Sequence, residues 1–120
     1  MGVDSMNLDV EKLLELFNCF FSQLEQVALP ADKQIESIKI GIVTDEIALD
    51  FCEMGMPCAK QLYENNWITT EQYNLVKELY EKFDEMSDTK YLWNDESLVI
   101  APEWEECRQL ARRIMEKISA

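Results

Sequence analysis

Glu78, Glu81 and Asp84 in "ELYEKFD" recur at three-residue steps, which on a helix brings three carboxylates close to one face. Glu46, Asp50 and Glu53 do the same earlier in the chain. Carboxylates on helices can hold Mg²⁺, as the ExxE and ExxD elements of all-α nucleotide pyrophosphohydrolases do. Both spacings occur here, but they overlap on one helix, and the paired glutamates that such enzymes carry on a preceding helix are missing. A charge row at helical spacing is ordinarily a solvated face, so no metal or other cofactor is expected. Histidine is absent, which excludes every scheme that needs imidazole, and no Gly-rich loop offers a phosphate cradle. The cysteines, Cys19, Cys52, Cys58 and Cys107, include no CxxC pair; each lies in or beside an apolar helical pattern and is expected as a buried free thiol. The chain is therefore expected to bind rather than to catalyse.

Charge says what it would bind. Asp plus Glu number 24 against 11 Lys plus Arg, a net charge of −13. Such a field repels nucleic acid and anionic membranes and suits a basic protein partner, although acidity also serves solubility alone. The acids are unevenly spread. No basic residue lies between Lys39 and Lys60, a gap that holds Asp45, Glu46, Asp50 and Glu53. From Glu78 to Glu106 there are ten acids against Lys82 and Lys90. Side by side in the fold, these two stretches would make one concentrated negative surface.

Elements must position these groups, and only three Gly and three Pro leave little material for turns, which favours a few long helices. Val10, Leu13, Leu14, Phe17, Phe20, Phe21 and Leu24 mark a first helix over 8–28, capped by Asn7 or Ser5 and ended before Pro30. A second is expected from Asp32 to Gly55, with one apolar row through Ile35, Ile38, Ile42, Leu49 and Cys52 and another through Ile40, Val43, Ile47, Phe51 and Met54. Two rows argue for a central helix with neighbours on both sides, and Gly55 is placed to end it in left-handed geometry. The β-branched "IKIGIV" reads alternatively as a strand, but nothing is present to pair with it, and Gly41 weakens the helix there. Pro57 opens a short third helix. Thr69 and Gln72 have the form of a capping box for a fourth, which carries Tyr73, Val76, Leu79, Tyr80 and Phe83 on its apolar face. Residues 87–101 read as irregular, with a helical turn at "NDESL", before Pro102 opens the last helix. The expectation is one all-α domain, a bundle of four to five helices, with residues 1–6 an expression scar or disordered lead. The N-terminus has no basic region followed by a cleavage site and no apolar run approaches a membrane span, so the cytoplasm is the expected location.

The aromatics of the acidic segment 88–107 complete the pattern. Trp104 sits on the apolar face of the last helix and reads as core. Trp93, with Trp67 at the helix-hairpin tip, reads either as a core plug or as a contact residue, and Tyr91 stands beside Trp93. Rings among acids suit a basic partner, because rings give affinity and carboxylates give steering. The candidate contact residues are Tyr91, Trp93, Asp88, Asp95 and Glu96, together with Asp45, Glu46, Asp50 and Glu53 of the gap.

"YLWNDESLVIAPEWEECRQLARRI" resembles the C-terminal pattern of small acidic helical bacterial proteins: aromatic-Leu-Trp, an acidic turn, then Trp-x-x-x-Arg-x-x-Ala on a helix. Among these are the cytosolic immunity proteins encoded beside secreted polymorphic toxins, including those of contact-dependent growth inhibition. The resemblance covers about the last 30 residues. It implies a non-enzymatic protein that binds one cognate toxin domain, often a basic nuclease, and blocks its active site; it transfers no functional residues. An adaptor whose apolar groove takes a partner helix and an Mg²⁺-dependent helical hydrolase are the alternatives.

Overall fold

The computed structural model describes residues 8–119, so the segment 1–6 and the caps expected at Ser5 and Asn7 lie outside it. Asp9 caps α1 (Val10–Ala28), its carboxylate accepting from the Lys12 N–H at 2.8 Å, and the helix ends at Leu29 before Pro30. Leu13, Phe20, Leu24 and Val27 bury the face of α1 that packs along α7 (Pro102–Ser119) and α4 (Met56–Glu64). α5 (Thr70–Met86) lies against both α4 and α7. It begins at the expected capping box: Thr69 Oγ1 accepts from the Gln72 N–H at 3.1 Å while Gln72 Oε1 accepts from the Thr69 N–H at 2.8 Å. These four helices frame the expected all-α bundle. Among the described residues there is no strand, and no helix is long and apolar enough to cross a membrane.

The segment 31–56 departs from expectation. Instead of one helix it forms α2 (Ala31–Ser37), an extended link at 38–42, α3 (Val43–Asp50) and a wide π turn over Phe51–Gly55. The link passes through Gly41 at φ +95°, a conformation that side-chain-bearing residues rarely adopt, and a Cβ there would come within 2.7 Å of the Glu46 carboxylate. Gly55 does not terminate anything. Its backbone is right-handed helical, φ −63°, and the chain runs through it into α4. The turn presses closely against α1 here: a Cβ would lie 3.2 Å from Gln23 Cβ, a tight contact that glycine avoids. The π turn also accommodates Pro57, which has no N–H and whose ring would crowd the carbonyl four residues back in a tighter helix. Past α5, a 3₁₀ turn at Lys90–Leu92 leads to α6 (Asp95–Ile100), whose N-terminus Asn94 caps by accepting from the Ser97 N–H at 2.8 Å.

The break after α2 has a visible cause. Gln34, fully buried, donates from Nε2 to the carbonyls of Gln26 and Val27 at the end of α1, at 3.1 and 3.0 Å. Its Oε1 accepts from Arg108 of α7 at 3.3 Å. Arg108, 3% exposed, also donates to the Leu98 carbonyl of α6 at 2.9 Å and to Glu105 at 2.8 Å. α2 is thereby pinned to α1, and α3 must start afresh to cover the core. The volume-conserving change Gln34→Met removes this polar hub without opening a cavity. It leaves two carbonyls and one guanidinium N–H unpaired, so urea denaturation should show a loss of about 2–4 kcal/mol. A loss below about 0.5 kcal/mol, the size of a neutral surface change, would show that the hub is dispensable.

Candidate functional site

The two apolar rows expected on the second helix part company in α3. Val43, Ile47 and Phe51 face the core, whereas Leu49 is 49% exposed and Cys52 half-buried. Across from them stands Tyr80 of α5, expected in the core but 39% exposed. Between these helices lies an open groove of about 500 Å³. Asp45, Leu49 and Cys52 form one wall; Tyr80, Phe83 and Asp84 form the other. Ser87, Lys90 and Trp93 close the end where the chain leaves α5.

Trp93 belongs partly to the core and partly to the groove. Its Nε1–H donates to the Met86 carbonyl at 2.9 Å, and its ring meets Trp104 edge-on with centroids 5.3 Å apart. Trp104 is fully buried as expected, its indole N–H donating to the Leu92 carbonyl at 2.7 Å. Phe83 packs against Trp104 and Phe51 against Phe83, each at 5.8 Å between centroids. A chain of four rings thus runs from the π turn to Trp93 and fixes the groove from beneath. Trp67 is likewise half-buried, its ring 6.4 Å from Phe17.

The remaining candidates disperse. Tyr91, 65% exposed, sits with Glu96 in a second cleft, lined also by Asn94 and Ser97, so it does not share a surface pocket with Trp93. Asp95 and Glu96 occupy the first turn of α6, where the helix dipole favours them, and Asp88 is exposed outside both clefts. Glu46 folds its carboxylate over Gly41. Asp50 is half-buried and Glu53 exposed, neither lining the groove. Glu78 and Glu81 stand in solvent while Asp84 lines the groove, and among the described residues no three such side chains gather as a metal-holding group. Of the nine contact candidates, the groove takes Asp45 and Trp93. It adds Leu49 and Cys52, whose signal in the sequence was a second apolar row in excess of what one core face requires, and Tyr80 and Asp84 of α5, expected on a core face and in a solvated charge row.

One acid of each stretch, Asp45 and Asp84, lines the groove. The Cys52 thiol is pushed up to about 11, first by burial and then by the charges of Asp84, on α5, and Glu53, beside it. At neutral pH it stays protonated and is a poor nucleophile. Cys107, fully buried with Sγ 3.6 Å from Met86 Sδ, is pushed up to about 12, chiefly by burial. All four cysteines are free, but Cys19, Cys52 and Cys58 are only half-buried, less than expected.

The raised thiol gives a direct check on the groove. Iodoacetamide modification of Cys52 at pH 8, followed by mass spectrometry, should run on the order of 100-fold slower than that of an unperturbed cysteine, because thiolate is that much scarcer. Asp84→Asn removes a charge that disfavours thiolate and should speed the reaction several-fold. A rate indifferent to Asp84 would place that carboxylate away from Cys52. Comparison of the chain with protein-family models, curated proteins and solved structures found no match.

Proposed function

We propose that the chain is a non-enzymatic binding module that takes a basic protein domain against the groove between α3 and α5. In the form implied by the C-terminal resemblance, it is a cytoplasmic immunity protein that neutralises a cognate toxin domain such as a nuclease. The observation that carries this is the composition of the groove: an apolar floor held open by anchored rings, with one carboxylate on each wall, in a chain of net charge −13. Exposed apolar side chains with a polar rim are the anatomy of a protein contact surface. The surrounding field would steer a basic partner and repel acidic ones. An adaptor would use the same groove; blocking of the partner's activity separates the two.

The test is association with candidate basic toxin domains, followed by stopped flow across ionic strength. Binding should abolish the domain's activity at equal stoichiometry, and the association rate should fall steeply with salt. Asp45→Asn with Asp84→Asn should slow association more than Asp95→Asn with Glu96→Gln. Leu49→Ala should act on dissociation instead, speeding it about tenfold. No binding, or binding that ignores salt and both acidic pairs, would sink the assignment.

A further inference from the structure

We infer that what enters the groove is an amphipathic helix of the partner, about two turns of it, with apolar side chains four residues apart facing in and lysine or arginine at its edges. This rests on the groove being the contact surface and adds what kind of segment fills it.

The first ground is the backbone economy of the walls. Both are helical, so beyond the first turn of α3 their N–H and C=O groups are bonded internally, and among the described residues no strand offers an edge to extend. An extended segment laid on Leu49, Phe83 and Trp93 would therefore bring its own amides against an apolar surface with nothing to bond, at the desolvation cost of each buried unpaired group. A helix satisfies its amides itself and presents only side chains.

The second is length. Asp45, Leu49 and Cys52 follow one another at four and three residues, and Tyr80, Asp84 and Ser87 do the same from the opposite wall to its closed end. Each wall thus shows about two turns, roughly 10 Å, to the groove. That matches a helix with two or three inward side chains, and is too short for a long coiled-coil seam.

The third is charge complementarity. Asp45 lies on the α3 wall and Asp84 on the α5 wall, so a helix between them has a carboxylate on either side. Lys90 is the cation in the lining and sits past the end of α5 with Trp93, which leaves the walls themselves acidic. Basic residues flanking the apolar stripe answer that pattern; acidic ones oppose it.

The probe is a 14-residue helix-stapled peptide with leucines at two positions four apart and lysines on both flanks, titrated into ¹⁵N-labelled chain. Two matched peptides accompany it, one with glutamate for every lysine and one with a central proline in place of the staple. Chemical-shift changes should fall on Leu49, Cys52, Tyr80 and the Trp93 indole N–H. Affinity should drop about tenfold or more for each matched peptide, and likewise for the Leu49→Gln chain, whose half-exposed position spares the fold. Equal binding of all three peptides, shifts confined to another surface, or no shifts at all would overturn the helix. Failure of this inference is distinct from failure of the assignment above. A basic domain that docks on the groove while the helical peptide does not leaves the binding module intact and removes only its helical occupant. A peptide that binds the groove while no basic domain is neutralised keeps the helical occupant and removes the toxin-neutralising role.

Discussion

One guanidinium taken out of water organises this molecule. Arg108 is 3% exposed, and a charge so placed is tolerable only when every surrounding contact is polar and well aimed. Its partners come from three directions: Glu105 one turn back on α7, the Leu98 carbonyl of α6, and Gln34 of α2. Gln34 passes the constraint to α1 through the Gln26 and Val27 carbonyls, orphans of a helix end that would otherwise need water. Four helices are keyed together by six polar groups, and no buried side-chain nitrogen or oxygen among the described residues lacks a partner.

The groove follows from that constraint. With α2 pinned to the end of α1, the chain must turn through Gly41 before α3 can cover the core, and α3 then offers only one of its two apolar rows inward. The other row, Leu49 and Cys52, is left facing Tyr80. The ring chain from Phe51 through Phe83 and Trp104 to Trp93 holds this opening in shape. On the proposed reading, a contact surface built in advance would lose less conformational freedom on binding, so more of its apolar burial would appear as affinity. The acids would work at longer range, where their sum matters more than any one pair.

How much of this was legible in the sequence depends on whether its cause was local. The capping box at Thr69 and Gln72, the stop before Pro30, the opening of α7 at Pro102 and the burial of Trp104 each follow from a few neighbouring residues, and the structure has them all. The single helix expected over 32–55 failed because its cause is distant: Gln34 and Arg108 are 74 residues apart. Periodicity could not see that contact, and Gly41 with the β-branched residues around it gave the hint of the break. Gly55 misled for a related reason. A glycine after an apolar run reads as a stop, yet here it is a point of close approach to α1. Tyr91 and Trp93 looked like one pair because they are two residues apart, but the 3₁₀ turn that carries Tyr91 and ends at Trp93 leaves the two lining different clefts.

Carboxylate footprinting tests most directly whether the groove is the contact surface. Carbodiimide labelling, resolved by mass spectrometry, would be compared between the free chain and the chain bound to a basic protein domain. If the domain docks between α3 and α5, labelling of Asp45 and Asp84 falls several-fold in the complex while Glu78 and Glu81, on the solvent side of α5, label as before. Unchanged labelling at Asp45 and Asp84, with protection at Glu11, Glu15 or Glu116 instead, would contradict it.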